Sequence, residues 1–161
     1  MKGQHRKAFT QIELIFVMVV IGILAAVSIP RLASSRDDAH GAKCTQEAQQ
    51  LITEITQRYN NDGYSTFSNL PIEEITNNKV GATSGDGVSS ALGTKVSEGI
   101  TYMCEDEDIV EIKGELSNGT EYNLTVTDLN PTTPAPIVAA KLIRKLNNIS
   151  TAGGSRIYVL H

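Results

Sequence analysis

Few side chains in this sequence are equipped for chemistry, and their placement limits what that chemistry is. One acid, Glu13, stands inside an otherwise apolar run from Phe9 to Pro30. A carboxylate in hydrocarbon is costly unless a positive charge meets it. Cys44 and Cys104 are the only cysteines, to be read as one disulfide or as two separate buried thiols according to the compartment. Glu105, Asp106, Glu107 and Asp108 form an acidic run. Clustered carboxylates are what calcium takes, but the spacing is not that of an EF-hand, and a solvated acidic turn is the plainer reading. Of the three histidines, His5 and His161 lie at the two ends of the sequence and His40 has no evident metal-ligand partner. Asn118, Asn123 and Asn148 open N-x-S/T matches, with Glu121 and Thr125 extending the one at Asn123, a pattern that arises often by chance. No Ser/His/Asp order, phosphate loop or zinc spacing is present. Neither an enzyme, a cofactor nor a metal site is expected.

These residues are positioned by a long helix and a sheet. The Phe9–Pro30 run is long enough to cross a bilayer, which takes about 20 helical residues. Beyond it, Ala48, Leu51, Ile52, Ile55 and Tyr59 recur at threes and fours, one stripe of an amphipathic helix, with Gln46, Glu47, Gln50, Thr53, Glu54 and Gln57 opposite. Asn60-Asn61-Asp62-Gly63 predicts the stop. A helix from Phe9 to about Asn60 would measure roughly 75–80 Å. Gly22 and Pro30 are its weak points, because glycine lowers helix propensity and Pro30 frees the carbonyl of Ala26.

Residues 64–75 read as a loop with a short helical turn, and Asn77–Glu98, rich in Gly, Ser and Thr, as an exposed connection. The period then becomes two. Ile100, Tyr102 and Cys104, then Val110 and Ile112, then Tyr122, Leu124 and Val126 predict three half-buried strands, with Asn118-Gly119 as a hairpin turn and Glu105–Asp108 at the other turn. Pro131–Pro136 reads as a stiff connector, Ile137–Leu146 as a short helix and Arg156–Leu160 as an edge strand. The expected fold class is α+β, a long N-terminal helical spine packed against a small antiparallel sheet. The expected divisions are 1–8, a leader; 9–30, the membrane-spanning half of the spine; 31–61, its amphipathic half; and 62–161, an α+β head.

The order Lys7-Ala8, Phe9-Thr10-Gln11-Ile12-Glu13-Leu14-Ile15 and the apolar run to Ile29-Pro30 resembles the N-terminus of type IV pilins and type II secretion pseudopilins. The matched segment is about thirty residues, and its set spacings of basic leader, Phe, Glu and Pro make it specific. The resemblance implies cleavage by a prepilin peptidase between Ala8 and Phe9, N-methylation of Phe9, and an assembly role for Glu13. It also implies a spine that melts between Gly22 and Pro30 when packed in a filament. Ala8 departs from the family's usual glycine, and Gln11 from its usual leucine. A secretory signal peptide is the competing reading, with Ala26-Val27-Ser28 as its cleavage site.

Lys2, Arg6 and Lys7 ahead of the apolar run place the N-terminus in the cytoplasm by the positive-inside rule, and the remainder outside it. In that setting Cys44 and Cys104 read as a disulfide closing a loop worth about 4 kcal/mol. The family's pilins often carry a disulfide nearer the C-terminus, so this pairing is not carried over from the resemblance. The formal charge is −4, and loss of the leader would make it more negative, which argues against a nucleic-acid partner.

The function expected is that of a structural subunit. It would sit in the bacterial inner membrane as a single-pass protein, then enter a periplasmic or extracellular helical filament, either a pilus or a secretion pseudopilus. Its partners would be further copies, other pilins or pseudopilins, the prepilin peptidase and an inner-membrane assembly platform. The alternative is a singly anchored periplasmic domain that never polymerises.

Overall fold

The computed structural model describes residues 10–119 and 121–160. Ala8, Phe9 and the leader lie outside the described residues. The element order is α1 (Gln11–Phe67), β1 (Gly87–Val88), β2 (Ile100–Cys104), β3 (Glu107–Ser117), β4 (Glu121–Asp128), α2 (Pro134–Leu146) and β5 (Ser155–Leu160), with single 3-10 turns at Ile72–Glu74 and Val96–Glu98. The fold is α+β, a long N-terminal helix and a five-stranded antiparallel sheet in the order β1-β2-β3-β4-β5. Contacts divide the chain into two compact units between Arg36 and Asp37.

The first unit is the apolar part of α1. Its helix runs through Gly22 and Pro30 without leaving helical geometry. Ile12, Phe16, Ile23 and Leu32 are all well over half exposed. It is long and apolar enough to cross a membrane.

The second unit builds a core between the rest of α1 and one face of the sheet. Ala48, Leu51, Ile52, Ile55 and Tyr59 are buried, which is the stripe the period-3.6 pattern picks out, and buried Cys44 extends it by one turn. They meet Ile100, Tyr102, Ile112, Tyr122, Leu124 and Val126. Alternation along β4 is strict, with Tyr122, Leu124 and Val126 buried and the residues between them only half-buried. Tyr59 stacks on Tyr122 with ring centroids 4.9 Å apart, and Phe67 meets both rings edge-on. Buried Asp128 accepts from the Gly153 N–H at 2.8 Å and from Arg144 at 3.3 Å, pinning the end of β4 to α2 and to the turn before β5.

The stop expected at Asn60–Gly63 is present: Gly63 adopts φ 71°, ψ 165°, a break between two helical stretches, and a short further turn runs to Phe67, held by burial of Phe67 against Tyr59 and Tyr122. Two expectations are corrected. Asn77–Glu98 is not merely an exposed connection. It contributes β1, paired to β2, and buries Ala82, Val88 and Val96. Finally, α2 starts at Pro134 and not at Ile137, because proline is compatible with the first helical turn, whose N–H groups have no intrahelical acceptor.

Candidate functional site

Two places concentrate the chemistry. The first is the start of α1. Thr10 precedes the helix, and its hydroxyl accepts from the Glu13 N–H at 3.3 Å. Glu13 Oε2 in return accepts from the Thr10 N–H at 2.8 Å and from the Thr10 hydroxyl at 2.7 Å. This is a capping box, T-x-x-E, in which two otherwise unpaired helix-end donors are satisfied reciprocally. Glu13 therefore has a local structural role alongside any role in assembly. The signal was present in the sequence as Thr10-Gln11-Ile12-Glu13, but an acid in an apolar run draws attention to lipid rather than to the cap.

The second place is where α1 crosses the β1–β2 edge of the sheet. His40 and Cys44 lie four residues apart on one face of α1. Cys104 is the last residue of β2, and Cys44 and Cys104 form a disulfide with Cα atoms 5.9 Å apart. Asp86 immediately precedes β1. Its position is fixed by Gly87, paired with Met103 at φ 143°, where an added Cβ would come within 2.8 Å of the Lys79 carbonyl. Glu105 and Asp106, both at positive φ, make the two-residue turn between β2 and β3.

These segments converge. His40 Nε2 lies 2.9 Å from both oxygens of Asp86, and His40 Nδ1 lies 3.2 Å from Glu105 Oε1. Lys43 Nζ donates to Asp86 Oδ2 at 2.9 Å, and the Glu105 N–H donates to Asp86 Oδ1 at 3.1 Å. The Asp86 side chain is only 14 % exposed. That burial opposes its ionisation, but the hydrogen bonds from His40, Lys43 and Glu105 outweigh it and hold the carboxyl down to about 2. Hydrogen bonding to Asp86 in turn pushes Lys43 up. Beside the cluster, the Tyr102 hydroxyl donates to Glu47, and burial, followed by that bond, pushes the phenol up. One ligand atom from each of His40, Cys44, Asp86 and Cys104 lies within 4.8 Å of all the others.

No protein-family model matches the sequence, and no solved structure matches the fold.

Of the residues singled out by sequence, Cys44 and Cys104 are brought together, and His40 acquires the partners that spacing did not reveal. Asp86 was missed, being 46 residues from His40 in a stretch without periodicity. Gly22 and Pro30 remain within unbroken helix. The acidic run disperses. Glu105 faces His40. Asp106 accepts from the Gly85 N–H at 2.5 Å, and Asp108 from the Ser89 hydroxyl at 2.8 Å. Glu107 takes the N–H and hydroxyl groups of Thr132 and Thr133 at 2.5–2.9 Å. Burial works against Glu107, yet those four donors hold its carboxyl at about 2. Four carboxylates turned to four different partners do not form a calcium cage.

Proposed function

We propose that this chain is a structural subunit of a filament of the type IV pilus or type II secretion pseudopilus kind, made from a membrane-inserted precursor. The observation that carries the reading is the uncovered first half of α1. Its side chains are apolar all round, and in the folded chain they are exposed. A helix of that character is stable only in lipid or among other apolar helices. Successive residence in the two, bilayer first and filament core second, accounts for both its length and its lack of a polar face. The covalently tied α+β head would then form the outer layer.

In this reading a prepilin peptidase cuts between Ala8 and Phe9. The new α-amine, with an ordinary pKa of about 8, supplies the positive charge that a buried Glu13 needs. Pairing with the amine of a neighbouring subunit would set the axial stagger and neutralise both charges in the apolar core. Gly22 and Pro30 would supply a segment able to unwind during packing. The membrane platform and an assembly ATPase are separate proteins.

The capping box favours one other reading, a plain anchor in which Glu13 serves only the end of its own helix. Two substitutions separate the readings. Glu13→Gln keeps a side chain that can complete the capping box but removes the charge. Glu13→Ala removes both. Expressed as the sole subunit, both variants should give cleaved, membrane-inserted monomer and little or no sheared filament. N-terminal sequencing at Phe9 would verify processing. Normal filament yield from Glu13→Gln would refute charge pairing, and absence of filaments from the wild-type chain in an assembly-competent cell would favour the anchor.

A further inference from the structure

The surroundings of the disulfide are unusual for a structural cross-link. A disulfide has no hydrogen-bonding requirement, yet this one, between two fully buried cysteines, has an imidazole nitrogen and a carboxylate oxygen within 4.8 Å of its sulfurs. We propose that the reduced chain binds one zinc-type divalent cation through His40, Cys44, Asp86 and Cys104, so that a metal ion takes over the staple between α1 and β2.

The geometry fits that ion. Zinc takes four ligands tetrahedrally at about 2.0–2.3 Å, which puts neighbouring ligand atoms about 3.3–3.8 Å apart. The four ligand atoms here are already within 4.8 Å of one another. Once the sulfurs are no longer bonded, rotation of the two cysteine side chains opens the remaining space. Two thiolates, an imidazole and a carboxylate suit zinc or cobalt and not calcium or magnesium, which prefer all-oxygen sets.

The groups around the ligands fit too. His40 directs Nε2 toward Asp86 while Nδ1 faces Glu105 at 3.2 Å. A ligating histidine held by a carboxylate on its other nitrogen is the usual arrangement at zinc sites. Two thiolates and one carboxylate around a dication leave one net negative charge, and Lys43, 2.9 Å from Asp86, is placed to offset it.

The chemistry balances with a named reductant. A trialkylphosphine reduces the Cys44–Cys104 bond, taking up an oxygen from water to become the phosphine oxide while the two sulfurs receive the two protons. Binding of the dication then releases both thiol protons to solvent. The oxidised chain lacks thiolates and cannot form this site.

The test uses the full chain in detergent micelles, reduced with a trialkylphosphine and titrated with Co²⁺, then Zn²⁺. One Co²⁺ per chain is expected, with a near-ultraviolet thiolate-to-cobalt band and intense visible bands of a tetrahedral ion, both abolished by one equivalent of Zn²⁺. His40→Ala and Asp86→Asn leave both thiols in place and should each weaken binding on the order of 10-fold or more, and Glu105→Gln by about 10–100-fold. Glu74→Gln, at an exposed acid outside the cluster, should change nothing. Unchanged far-ultraviolet circular dichroism establishes that the variants are folded. The proposal is overturned if the reduced wild-type chain shows no thiolate–cobalt band. It is also overturned if His40→Ala and Asp86→Asn both bind as tightly as wild type, or if the oxidised chain binds equally well.

Discussion

The two parts of α1 have the same backbone geometry and opposite surfaces. Between Ile12 and Leu32 the apolar side chains point in every direction and are exposed, Ile12 by 75 % and Leu32 by 70 %. From Cys44 to Tyr59 apolar residues occupy one stripe, and Leu51 and Ile55 are completely buried. Hydrophobicity is therefore a poor guide to where this protein's own stability resides. The core residues that α1 supplies all belong to its more polar part. The more polar part supplies one wall of the core.

That contrast breaks first at Leu51. Leu51→Asp would bury a carboxylate with no cation among the core residues around it and cost on the order of 4–5 kcal/mol, measured by denaturant unfolding of the full chain in micelles. Reducing the Cys44–Cys104 disulfide in the presence of a chelator should cost about 4 kcal/mol for the loop it closes. Hydrogen exchange should place that loss after Arg36 and leave the first part of α1 unchanged. Gly114→Ala comes next. An added Cβ would collide with the Tyr122 hydroxyl, and displacing a ring stacked on Tyr59 should cost about 1–3 kcal/mol.

Acid sharpens the comparison more gently. Glu107 is held below its ordinary 4.5, at about 2, so its contribution is complete above about 4.5 and is lost as pH falls toward 2. The melting temperature should fall across that window, and Glu107→Gln should flatten the fall. The smallest effects belong to Gln50→Asp, on the exposed face of α1, and Ile23→Ala, in the uncovered part, each within about 0.5 kcal/mol. A loss at Ile23 matching the roughly 2–5 kcal/mol expected of Ile55→Ala would abolish the distinction between the two parts.

Legibility followed the physics of each element. The stripe on α1 and the alternation in β3 and β4 were readable because one-sided burial imposes a period on sequence. The Cys44–Cys104 pairing followed from parity and compartment, with no competing thiol. β1 was not readable: Gly87 and Val88 are too short to show a period, and Val88 owes its burial to partners elsewhere in the chain, β2 among them. The packing of Phe67 was hidden for a related reason, since it is held by Tyr59 and by Tyr122 of β4, which local propensity cannot anticipate. At the cluster, His40 and Cys44 carried a helical spacing, whereas Asp86 reaches them only through the β1–β2 pairing. The cap at Thr10 is written in the sequence as Thr-x-x-Glu, in the same acid whose membrane cost is its more conspicuous property.

The disulfide has a mechanical consequence. A load entering through α1 and leaving through β5 passes directly from Cys44 to Cys104, across a sequence separation of 60 residues. Those residues cannot straighten while the bond holds, however far the remainder is stretched. At about 3.3–3.6 Å per extended residue, roughly 200 Å of contour length stays out of reach. Most of the buried helix stripe and β1 lie inside that protected stretch, so tension on the oxidised chain reaches β3, β4 and β5 before it can draw out the helix they pack against. In a single-molecule pull, reduction should lengthen the unfolded chain by that amount.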